Sequence, residues 1–95
     1  MNLRYDLIRP EWLEIMAEIL TFGADKHKAD DFSNKTQEEY FRSAMGHIVA
    51  DRKGIFIDND DSMPTIVKAA VNLLIIYTKR CGVEKTINGN PQEKI

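Results

Sequence analysis

Ninety-five residues with a formal charge of −2 suit a single small domain, and a charge so near zero excludes the broad basic field with which proteins grip nucleic acid. The one cysteine, Cys81, excludes an internal disulfide framework and any multi-cysteine zinc site, in keeping with a reducing compartment. The longest apolar stretch, Ala69 to Tyr77, is broken by Asn72 and too short to cross a bilayer, and the first residues hold no apolar run of signal-peptide length, so the expectation is a cytoplasmic chain without membrane or nucleic-acid partners.

Residues 1 to 9 read as an extended lead-in. Pro10 disfavours helical geometry at Arg9 and suits a first helical turn, where Glu11 and Glu14 complement the helix dipole. Trp12, Met16, Ile19 and Leu20 then recur at helical spacing, which predicts a first helix over about 10–26. Lys26 to Asn34 is polar and aperiodic and reads as a loop pinned by Phe32. Thr36-Gln37-Glu38-Glu39 is a capping box that opens a second helix over about 36–53, ended by Gly54. Phe41, Met45, Ile48 and Val49 give its apolar stripe, beside a second stripe of Tyr40, Ala44, His47 and Asp51. Most aromatic residues at helical spacing are expected in the core.

Asp58-Asn59-Asp60-Asp61 lies in a connector, and Asp61 or Ser62 can cap a third helix over about 62–81 with Pro64 in its first turn. From Thr65 to Tyr77 this helix carries one charge, Lys68, and is apolar on more than one face. Such a helix must be buried nearly all round, and two short neighbours cannot surround it. The fold expected is all-α: a three-helix subunit, one domain over 1–82, packing through its third helix into a homo-oligomer. Residues 83–95 read as a mobile polar tail.

The run Arg4-Tyr5-Asp6-Leu7-Ile8, Pro10, then Ile19-Leu20-Thr21-Phe22-Gly23-Ala24 and Lys26, resembles the opening of the phage dATP/dGTP diphosphohydrolase N-terminal domain family, which is similar to the MazG-like all-α nucleotide pyrophosphohydrolases. The likeness continues through His47, Gly54, Asp58, Pro64, Ala69, Ala70 and Asn72, over roughly residues 4 to 77. It implies a helical oligomer in which Mg²⁺ held by carboxylates helps to split a nucleoside triphosphate into monophosphate and pyrophosphate. The chain departs from that pattern. Gly46 stands for an arginine, Asp51 for a tryptophan, Ile55 for a glutamate, and Thr65 and Lys68 for two histidines. Asp58 matches, and Asp60 stands where the family has an acidic residue.

The site candidates follow from these positions. Asp58 and Asp60 can hold Mg²⁺ if the chain is catalytic, although the same residues make ordinary turns; Asp61 reads as a cap. His47 reads equally as a phosphate or base contact and as a structural histidine. Lys68 can bind phosphate near a helix N-terminus. Lys26 and Arg52 can add phosphate contacts, or be solvated surface, and Phe32 can stack on a base. Replacing a carboxylate by Ile55 and adding Lys68 argue against metal-dependent hydrolysis. The reading is therefore a non-hydrolysing protein that binds, and can sequester, a nucleotide or nucleotide-derived signal. The alternatives are an active Mg²⁺-dependent dATP/dGTP pyrophosphohydrolase, and a structural or protein-binding oligomer.

Overall fold

The computed structural model describes residues 1–27 and 35–82, without the side chains of 24–27. Phe32 and the tail over 83–95 lie outside the described residues. Three helices carry the fold: α1 (Pro10–His27), α2 (Gln37–Arg52) and α3 (Thr65–Cys81). The lead-in is not wholly extended, since Tyr5–Leu7 forms one 3-10 turn ahead of α1.

The ends of α2 follow local chemistry. The Thr36 hydroxyl accepts the Glu39 N–H at 3.1 Å, and the Glu39 carboxylate accepts the Thr36 N–H at 2.8 Å. This pair of bonds satisfies two backbone donors that a helix start leaves open. At the other end, Gly54 takes φ +93°, a region costly for residues with a Cβ. Its N–H reaches the Asp51 carbonyl at 2.9 Å, while the Ile55 N–H reaches back to Ala50 at 3.0 Å. Gly82 closes α3 in the same left-handed region, at φ 68°.

The start of α3 departs from the sequence expectation. The helix begins at Thr65, with Pro64 as its N-cap and no side-chain cap bond. Neither Asp61 nor Ser62 caps it. The connector instead folds on itself, pairing Ile57 with Pro64 in an antiparallel bridge, and the Thr65 N–H is used by the Phe56 carbonyl at 2.9 Å.

α2 and α3 run antiparallel. Arg80 donates to Gln37 at 3.1 Å, tying the end of α3 to the start of α2, and Asn72 donates to Ser43 at 3.1 Å midway. The core consists of Tyr40 and Ala44 on α2 with Ala69, Val71, Ile75 and Ile76 on α3. Met16 and Ile19 of α1 pack against it with Val67, and α1 touches α3 more sparsely than α2 does.

The helix faces correct the sequence reading in one respect. On α2 the buried stripe is the one begun by Tyr40 and Ala44, while Phe41, Met45 and Val49 face outward. Trp12 on α1 is likewise exposed, as is Phe22. Aromatic residues at helical spacing are thus mostly outside the core of one subunit. On α3, Ile66, Ala70, Leu73 and Tyr77 form a second stripe at coiled-coil spacing that no described part of the chain covers.

Candidate functional site

The connector and the first turn of α3 build a compact charged cluster. Asp58 and Asp61 lie three residues apart in the turn, and Lys68 lies one helical turn into α3. The Lys68 ammonium donates to Asp58 Oδ2 at 2.8 Å and to Asp61 Oδ2 at 2.6 Å. Each carboxylate spends its other oxygen on the backbone. Asp58 Oδ1 accepts the Asp60 N–H at 2.8 Å, and Asp61 Oδ1 accepts the Met63 N–H at 3.0 Å. The Asp58 N–H binds the Met63 carbonyl, and the Ser62 N–H binds the Asp58 carbonyl. Ser62 is held at φ 62°, unfavourable for a residue with a side chain, at a cost of about 1 kcal/mol.

The cluster is largely withdrawn from water: side-chain exposure is 16% for Lys68, 24% for Asp58 and 6% for Asp61. One ammonium against two carboxylates leaves a net negative charge. The hydrogen bond from Lys68, followed by the Asp60 N–H, holds the Asp58 carboxyl below the usual carboxylate range. Burial alone would pull the Lys68 ammonium down, but the bonds to Asp58 and Asp61 together outweigh it and its pKa is raised.

His47 on α2 lies within reach of these charges. Burial first, and Lys68 second, lower its pKa, while Asp58 and Asp61 pull the other way. The lowered pKa favours the neutral imidazole, which offers one donor and one acceptor.

The structure thus brings together His47, Lys68 and Asp58 from the expected set, and adds Asp61. Asp60 contributes its backbone N–H to Asp58 and is itself exposed. Arg52 is exposed in the last turn of α2; five residues beyond His47, it sits about 140° further round the helix. Lys26 falls in the last turn of α1 rather than in a loop, and its side chain, like Phe32, lies outside the described residues.

Asp61 was read from sequence as a helix cap, yet it is the most buried carboxylate of the cluster. The available signal was the spacing: an acidic pair three apart, followed by a helix whose one charge between Thr65 and Tyr77 is Lys68. A second feature was also missed. Glu14, Ala17, Glu18, Thr21 and Phe22 of α1 line an open, shallow groove of about 500 Å³ that reaches the connector at Met63.

The described residues thus form a small all-α subunit with a part-buried charged cluster where its connector enters the third helix. The sequence profile of the dATP/dGTP diphosphohydrolase N-terminal family matches residues 1–87, and the chain belongs to that family. Neither a curated protein nor a solved structure matches it.

The Mg²⁺ implied by the family chemistry does not fit the residues present at this cluster. Both oxygens of Asp58 and of Asp61 are engaged, one by a backbone N–H and one by Lys68. A divalent ion would have to displace an ammonium bonded to both carboxylates. Among the described residues no group of three histidine, cysteine or acidic side chains is arranged to hold a metal. Nor is any helix among them long and apolar enough to cross a membrane.

Proposed function

We propose that the protein binds a nucleotide or nucleotide-derived ligand without hydrolysing it, on a scaffold shared with dATP/dGTP diphosphohydrolases. The observation that carries this reading is the closure of Lys68 on Asp58 and Asp61, which takes from the cluster the free carboxylates that metal-assisted phosphoryl chemistry requires. Family membership supports a nucleotide as the ligand class. Neutral His47 suits hydrogen bonding to a base or sugar better than charge pairing with phosphate. Phosphate contacts fall to basic groups outside the cluster, Lys26 and Arg52 being the candidates, and Phe32 is the candidate for stacking on the base. Binding without turnover would let the protein sequester its ligand.

The same reading makes the protein a homo-oligomer. Ile66, Leu73 and Tyr77 of α3, and Phe41, Met45 and Val49 of α2, are exposed in one subunit, and a second copy is the occupant suited to a self-complementary apolar stripe.

Two measurements test the proposal. Mass spectrometry of small molecules released from the purified protein should find a nucleotide. Incubation with dATP or dGTP and Mg²⁺ should release no pyrophosphate above background. Pyrophosphate release abolished by Asp58→Asn would return the chain to the hydrolases. Absence of any bound nucleotide, with no binding on titration, would leave a structural oligomer.

A further inference from the structure

Within one subunit α2 packs along α3 and α1 touches it more sparsely. Together they leave one face of α3 open. Its exposed residues, from Ile66 to Cys81, all fall within a single arc of about 120° at 3.6 residues per turn. From Ile66 to Tyr77 that arc holds Ile66, Ala70, Leu73, Leu74 and Tyr77 and carries no charge. Arg80, at its edge, is drawn aside by Gln37 of α2 at 3.1 Å. The central stripe is also symmetric. Ile66, Ala70, Leu73 and Tyr77 are spaced four, three and four residues apart, so the pattern reads the same in both directions, with a small residue on one side of its midpoint and a large one on the other.

We infer that α3 pairs with α3 of a second copy in antiparallel fashion, about a twofold axis midway between Ala70 and Leu73. The inference rests on the homo-oligomer proposed above and names the contact, its direction and its register. About that axis the partner's Leu73 lies on Ala70 and the partner's Tyr77 lies on Ile66, so each layer sets a larger side chain against a smaller one. The two alanines leave room for the two leucines, as interlocking helix surfaces require. A parallel pair would set alanine on alanine in one layer and tyrosine on tyrosine in another. It would also bring the two Arg80 side chains together, and with them the like ends of two helix dipoles. An uncharged face asks for an uncharged occupant, and a stripe that matches its own reversal is matched by a second copy of itself. Residues 83–95 offer only Val83, Ile87 and Ile95 as large apolar cover.

The test places a nitroxide label on the native Cys81, which is exposed, in the full-length chain. The register sets Cys81 beside the partner's Ser62, so the two labelled positions stand about 30 Å apart. A parallel pair brings them within about 10 Å. Pulsed electron paramagnetic resonance should show a distance peak at the longer value. Ala70→Leu sets leucine against leucine on both sides of the axis. It should weaken self-association about tenfold or more by light scattering, and remove the peak. Ala70→Leu combined with Leu73→Ala keeps one large and one small side chain in each central layer, and should restore both association and peak. An assembly without the long-distance peak, or one whose peak persists unchanged in Ala70→Leu, would overturn the antiparallel contact and leave the homo-oligomer standing. Single subunits at high protein concentration would overturn both. If Ala70→Leu fails to fold, the double variant decides: association with the long distance supports the register, and a folded double variant that stays single counts against it. No nucleotide enters the experiment, so its result stands apart from whether the protein binds or hydrolyses one.

Discussion

Thr65, at the first position of α3, is 1% exposed, and its hydroxyl has no hydrogen-bond partner among the described residues. A buried hydroxyl left unpaired costs roughly 1–3 kcal/mol, and an apolar group of the same shape removes that cost. Thr65→Val should therefore raise stability by about 1 kcal/mol, read as a higher denaturation midpoint; a lower midpoint would show that the hydroxyl is satisfied in solution. Lys68 should behave in the opposite way. Lys68→Met strands two carboxylates, one of them nearly buried, and should cost about 3 kcal/mol. The pH dependence follows from the directions of the shifts. Asp58 is depressed in the folded state, so its contribution is complete above its unfolded value of roughly 3.9 and is lost as pH falls through its lower folded value. Lys68 is raised, so its contribution is complete below an unfolded value of roughly 10.4 and is lost as pH rises through its higher folded value. Chemical denaturation across pH should show that alkaline loss in wild-type protein and a smaller one in Lys68→Met. His47 adds an acidic-side term of the same sign as that of Asp58, because its folded pKa is lowered and the unfolded chain takes up the proton first.

At the scale of elements, the helices were legible and their orientation was not. Pro10, the Thr36–Glu39 capping box, Gly54 and Gly82 are local signals, and each acts in the structure as its chemistry requires. Thr36→Ala should remove one of the two cap bonds and cost about 1 kcal/mol, measurable as a lower melting temperature by circular dichroism. The start of α3 was misplaced because Asp61 and Ser62 are good caps in isolation, and only the fold shows that the Asp61 carboxylate is drawn to Met63 and Lys68 instead. Which of the two α2 stripes faces α3 was not legible for a related reason. Hydrophobicity favours Phe41, Met45 and Val49, yet the face against α3 carries Tyr40 and Ala44, where a small residue lets two helices come close. A pattern read on one helix cannot say which of two apolar faces meets its own chain and which is left for another. The charged cluster was half legible. His47, Asp58 and Lys68 were each marked by position, but the pairing that neutralises Lys68 depends on the turn geometry of residues 58–63, which sequence spacing leaves open.

At the scale of the whole molecule, the described residues of one subunit make a lean core and leave much apolar surface exposed. Among the described residues six apolar side chains are buried, while Trp12, Leu13, Ile66, Leu73, Leu74 and Tyr77 remain exposed. This imbalance underlies the oligomer proposed above. Leu73→Glu, in the middle of the outward stripe of α3, should convert the assembly to single subunits by light scattering coupled to size exclusion, because a buried unpaired carboxylate at a subunit contact is costly. An unchanged mass would place the contact on another face.

The uncovered stripe from Ile66 to Tyr77 belongs to the same helix that supplies Val71, Ile75 and Ile76 to the interior. If a second copy covers it, docking and folding draw on one structural element, and neither is complete without the other. Dilution would then act as a denaturant: the melting temperature would climb with protein concentration, as mass action demands when only the native form associates.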